Sequence, residues 1–189
     1  LVCPCKGDRT LRHNRVRDEV FKGAVEAAMR PEKEKAGLLP GRPDEDGVAG
    51  QAGDRRPADV WLPRGPSGRG EALDFACTSA LRSDLLNTTA SNPAFLFDQY
   101  ENFKRQYKNT GQAAVEAGFV FTPMICEAHS GAWAPNARRV LNRVSRGMAA
   151  CSGEETEVVS LRLAQHISVA LHRANARAIL KRTTWKELE

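Results

Sequence analysis

The 189 residues are 41% hydrophobic and 27% charged, a globular balance long enough for one core, which excludes a wholly disordered chain. With 28 Lys+Arg against 23 Asp+Glu the net charge is +5, which leans towards a polyanionic partner such as nucleic acid. No apolar run reaches the roughly 18 residues that span a bilayer, and five cysteines, odd in number and mostly set in apolar runs, speak against a disulfide framework.

The cysteines point to a reducing intracellular compartment, with cytosol, nucleus and an organelle interior all open and the nucleus expected first where the polyanionic partner is DNA. Aromatic residues at only 6%, with 10 Pro and 15 Gly, imply long irregular stretches. The chain opens at Leu1 without a Met, so it is expected to be a fragment or a processed piece, with domains missing on its N-terminal side.

In chain order, residues 1–12 carry Cys3-Pro-Cys5, which with His13 has ligand types suited to Zn²⁺. Three candidates with a one-residue Cys spacing are too few for a closed tetrahedral site, and a Cys/His knuckle truncated at its N-terminal side is the alternative. Residues 10–30 place Leu11, Val16, Val20, Ala24 and Ala27 or Ala28 on one stripe, with Thr10 as N-cap and Pro31 as stop, and so predict an amphipathic helix. Its other face carries Arg12, Arg15, Arg17 and Lys22, a solvated basic surface or one facing phosphate.

Residues 31–56 are crowded with Pro, Gly, Asp and Glu and read as a flexible loop with room for at most a short strand near Leu38 and Leu39. Two short apolar runs follow, ADVWLP and ALDFACTSA, joined by RGPSGRGE, a pair of strands with a wide hairpin connection. From Pro93 to about Gly118 the spacing is helical with a break near Gly111, and GFVFTPMICEA reads as a buried strand. Residues 135–150 and 155–182 predict two amphipathic helices, the last with Val158, Leu161, Ala164, Ile167, Leu171, Ala174, Ala178 and Leu180 on its apolar side.

Asp59 and Asp74 each lie near the start of an apolar strand, so in an adjacent pair both carboxylates could meet at one sheet edge. Two converging carboxylates repel unless a cation sits between them, and Mg²⁺, or Mn²⁺ in its place, is the hard ion such a site suits. On spacing alone the plainer reading, turn and edge-strand acids, stands beside this one.

The succession RHNRVRDEV, RRPADVWLP, EALDFACTSALR, a helix with KRQYK, then FVFTPMICEAHSG resembles the restriction-endonuclease-like, PD-(D/E)xK, domain at the C-terminal end of some site-specific non-LTR retrotransposon proteins. The resemblance covers about residues 12–131, and Arg-Pro-x-Asp with Leu-Asp is its most specific part. It implies an α/β fold with a mixed central sheet flanked by helices, residues 132–189 being a helical C-terminal extension. It also implies a metal-dependent DNA endonuclease in which Asp59 and Asp74 are ligands and the nick primes reverse transcription.

The plain motif has a lysine two residues after the second acid, where this chain has Ala76. The relatives it resembles carry that lysine on the next helix, which nominates Lys104, with Lys108 second, to stabilise the developing charge or orient the water. Glu19 is a candidate third carboxylate for the metal and His13 a candidate phosphate contact, with a surface acid and a helix-start histidine as the plainer readings. Glu127 and His129 resemble a Glu-Thr-x-Gly-Gly stretch of related elements and are expected to shape packing or a loop.

Arg12, His13, Lys108, Arg177 and Lys181 are the expected nucleic-acid contacts, the last two within a basic stripe of the C-terminal helix with Arg173 and Arg182. Tyr100, Tyr107 and Trp133 have rings suited to base stacking, with core packing the plainer role. The other reading, of a different class, is a catalytically inactive descendant of the nuclease fold serving as a structural or nucleic-acid-binding subunit of a larger assembly.

Overall fold

The computed structural model describes residues 7–39 and 57–182, so Cys3, Cys5 and most of the expected 31–56 loop lie outside the described residues. The first helix, α1 (Asp8–Glu26), starts behind Gly7 and buries Val16, Val20 and Ala24, with Ala27 just beyond its end. A two-residue strand, β1 (Glu32–Lys33), takes the place expected near Leu38 and Leu39, and Leu39 is buried by packing instead. The hairpin is present as β2 (Val60–Leu62) and β3 (Glu71–Thr78), closed by a turn in which Gly65 N–H donates to the Arg69 carbonyl.

From β3 the chain crosses over through α2 (Leu86–Ser91), α3 (Ala94–Gln106) and α4 (Thr110–Glu116) to β4 (Val120–Glu127). The break between α3 and α4 falls at Lys108 and Asn109, both left-handed with φ of 51° and 54°, and not at Gly111. Two long helices close the described chain, α5 (Pro135–Ser152) and α6 (Thr156–Leu180), separated by Gly153 at φ 75°.

The sheet order is β1-β2-β3-β4, antiparallel except for the parallel β3/β4 pair, so the molecule is an α/β protein with a mixed four-stranded sheet. Both faces are covered. Val60, Leu62, Leu73, Phe75, Met124 and Cys126 pack in one cluster with α1, α5 and α6. On the other side Ala72 and Phe121 pack with Trp61, Ala114 of α4 and Phe119. Double coverage explains why β3 and β4 read as near-continuous apolar runs.

Two surface expectations change. Arg12 and Arg17 are not on a solvated face, being 1% and 7% exposed, because α1 is sandwiched between the sheet and α6 and has no free side at those positions. In α6 the buried stripe is Val159, Leu163, Ile167, Leu171, Ala174 and Ala178, while Val158, Leu161 and Leu180 are exposed. The expected Ile167, Leu171, Ala174 and Ala178 are in that stripe; the difference lies in the first turns, where packing buries Val159 and Leu163 instead of Val158 and Leu161, and at Leu180.

Candidate metal and nucleic-acid site

Asp59 precedes β2 by one residue, and the antiparallel register pairs Val60 with Leu73 and Trp61 with Ala72. Continued one step, that register sets Asp59 opposite Asp74. Opposed residues of an antiparallel pair project to the same face, so strand pairing itself brings the carboxylates together.

Asp59 Oδ2 accepts a 2.6 Å hydrogen bond from the Phe75 backbone N–H, and it lies 3.0 Å from His13 Nε2 on α1. Asp74 is held from the other side: Lys104 Nζ on α3 lies 3.0 Å from Oδ1 and 2.9 Å from Oδ2. Each of these four side chains is 21–23% exposed, open enough for a ligand to reach and buried enough to strengthen charge interactions.

The two acids titrate apart. Burial pushes Asp74 upward, the Lys104 ammonium opposes this, and the Asp59 charge with a shared hydrogen bond adds to it, leaving Asp74 at about 6. Burial would also raise Asp59, but hydrogen bonding and charge from His13, with the Phe75 amide, hold it below the ordinary value. Burial lowers His13, but the hydrogen bond and charge of Asp59, with a smaller part from Asn14 and Cys77, together outweigh it, so its net shift is upward.

The donor set fits a hard divalent cation. Mg²⁺ binds through one or two carboxylates and keeps several waters, and a carboxyl pair with one member raised by burial and by its neighbour's charge is relieved by a cation between them. Among the described residues no group of three or more His, Cys, Asp and Glu gathers to form an all-protein cage, so water would complete the coordination.

Glu19 is not brought to this pair. It is ion-paired to Lys22 at 2.7 Å and faces α6 across a groove of about 760 Å³ lined also by Arg15, His166 and Arg173. Arg177 lines the same groove, whereas Lys181 is bonded to Asp8 at 3.0 Å together with Arg182 at 2.8 Å. Lys108 sits on the left-handed turn after α3, with its ammonium 5.5 Å from the Tyr107 ring centre. Tyr100, Phe103 and Tyr107 form an aromatic row along α3 beside Lys104, Phe103 and Tyr107 being half exposed. Trp133 stands edge-on to Phe75 in the cluster that packs with α1, α5 and α6.

Glu127 shapes the loop after β4: its carboxylate accepts from the N–H groups of Ala80, His129 and Ser130 and from the Ser130 hydroxyl. Sequence reading missed the His13–Asp59 contact. The two are 46 residues apart, and only the docking of α1 on the sheet joins them.

No family model matches this chain. A search of the curated proteins finds no significant match either.

Proposed function

We propose that this chain is a metal-dependent DNA endonuclease domain of restriction-endonuclease-like type, which cuts a phosphodiester by attack of water. The supporting observation is the register that sets Asp59 opposite Asp74, with Lys104 bonded to the second acid and an aromatic, partly exposed helix face beside it.

When bound, Mg²⁺ or Mn²⁺ held by Asp59 and Asp74 would supply Lewis acidity that polarises the phosphate and acidifies a water. Lys104 replaces the missing in-strand lysine: its ammonium is fixed by Asp74 where it can stabilise charge developing on phosphate oxygens. His13 and the Phe75 amide orient Asp59 through one oxygen, and a cation between the acids would replace the hydrogen bond that Asp59 shares with Asp74.

The second reading, an inactive nuclease fold kept as a structural or nucleic-acid-binding subunit, draws on one observation. Lys104 already bonds both oxygens of Asp74 and could stand in for a cation permanently.

Nicking of supercoiled plasmid at low salt separates the two. The enzyme reading expects nicking by the wild type in Mg²⁺, and its loss in EDTA and in Asp74→Ala. A folded wild type that binds plasmid without nicking it in Mg²⁺ or Mn²⁺ selects the inactive reading.

A further inference from the structure

Beyond the carboxylate pair, at the C-terminal end of β3, a cavity of about 210 Å³ is lined by Arg9, Arg12, Cys77, Thr78, Arg82 and Tyr100. Arg12 is 1% exposed; its Nε donates to Asn175 Oδ1 at 2.6 Å, while Nη2 is buried with no acceptor among the described residues. A buried guanidinium nitrogen left without an acceptor is uncommon and marks a place where an external acceptor is missing.

The nearby acids are already engaged. Asp8 is held by Lys181 and Arg182, and Asp84 lies outward on Arg82 through two nitrogens. Arg9 has no ion-pair partner among the described residues. The Cys77 thiol in the cavity wall is held below its ordinary value, first by a hydrogen bond with Cys126 and then, against burial, by the charges of Arg12, His13 and Arg9.

We infer that this cavity binds a phosphate group, with Arg12 Nη2 as its fixed donor, Arg9 as the outer cation without an acid, Arg82 at the rim with its charge shared with Asp84, and Thr78 and Tyr100 completing the lining. Planar guanidinium forks match phosphate oxygens, and three of them around one small polar cavity favour an anion with several acceptors. Tyr100 stands four residues before Lys104 on α3, and Thr78 four residues after Asp74 on β3. The backbone of Tyr100 is therefore about 6 Å from that of Lys104 along the helix, and that of Thr78 about 13 Å from that of Asp74 along the strand. On the nuclease reading, on which this part of the inference rests, the cavity would hold a neighbouring phosphate of the strand being cut.

The test is a side-chain NMR titration of the Arg12 Nε–H signal, which its buried bond to Asn175 shields from solvent exchange. Inorganic phosphate and a short DNA duplex are added separately in EDTA, so that no cleavage is needed. Wild type and Asp74→Ala are expected to show a saturable shift alike, and the exposed-site double variant Arg9→Gln/Arg82→Gln to bind roughly tenfold more weakly.

A shift with duplex assigns the site to a strand phosphate. A shift with inorganic phosphate alone upholds the phosphate site but assigns it to a small phosphate ester. No saturable shift with either probe, or equal binding by the double variant, overturns the inference. Because Asp74→Ala keeps the cavity, loss of nicking and loss of phosphate binding are read separately.

Discussion

Asp59 and Asp74 stand opposite one another, yet one is tied to a histidine and a backbone amide while the other meets a lysine. Their titrations separate accordingly, and the consequence is a stability that depends on pH. Asp74, raised from an ordinary 3.8 to about 6, favours the folded state fully below pH 3.8 and loses that contribution as pH rises through 6. The loss is roughly 3 kcal/mol at neutral pH in the absence of a cation.

Asp74→Asn removes this titration. In urea denaturation without divalent metal, the variant is expected to gain on the wild type by about 2–3 kcal/mol between pH 4 and pH 7. A difference that stays constant across that range would show that the Asp74 carboxyl is not raised.

His13 acts in the same direction. Its folded value lies above the ordinary 6.5, so its pairing with Asp59 is complete below 6.5 and is lost as pH climbs through the folded value. Both carboxylates are ionised, with His13 neutral, only on the alkaline side. Nicking in Mg²⁺ is therefore expected to rise from pH 6 to pH 8, and the pH–rate profile checks it. At a fixed pH of 7.5, Lys104→Gln is expected to lower the nicking rate by about 10²–10³ while leaving duplex affinity within a few-fold.

At the scale of elements, the hairpin decides whether the site exists. Gly70, one residue before β3, lies against the Trp61 ring: a Cβ built there would stand 2.1 Å from ring carbons. Gly70→Ala must push Trp61 or the strand aside and disturb the register that sets Asp59 against Asp74. An expected loss of about 2–3 kcal/mol in thermal or denaturant unfolding, with weakened metal affinity, would check this.

This hairpin, β4 and α5 were legible in the sequence because each is a strong periodic or apolar run bounded by Gly or Pro. The break after α3 was misplaced because Lys108 and Asn109, not Gly111, take the left-handed turn, which costs a lysine more than a glycine and so carries no compositional mark. In α6 the buried Ile167, Leu171, Ala174 and Ala178 were legible, whereas the first turns were misassigned because Val158 and Val159 offer equal apolarity and the choice between them is made by packing.

Across the whole molecule, α1 is the element that composition alone could not place. Its arginines looked like solvent-facing charge, yet Arg12 reaches Asn175 of α6, which in turn donates to the Ala128 carbonyl at 2.7 Å and ties first helix, last helix and the end of β4 together. On the sheet edge nearer the hairpin turn, buried Glu71 accepts from Thr122 at 2.7 Å and pairs with Arg143 of α5.

These polar ties were invisible to hydrophobic patterning, which sees only where apolar side chains recur. Leu171→Ala, in the fully buried stripe of α6, is expected to destabilise the protein by about 2–5 kcal/mol and to loosen α1 with it. Hydrogen exchange of α1 amides faster than in wild type would report that coupling. The aspartate pair was legible from strand position; the His13 contact and the Arg12 cavity follow only from tertiary packing.

The claim that rests on most of this is that Asp59 and Asp74 together hold one divalent cation. A titration of the ¹⁵N-labelled protein with Mn²⁺ tests it directly. Broadening that begins at the amides of Asp59, Asp74 and Phe75, and is lost in Asp59→Asn, is the predicted result. Broadening confined to exposed acids such as Asp84 and Glu154, with Asp74 and Phe75 left sharp, would contradict it.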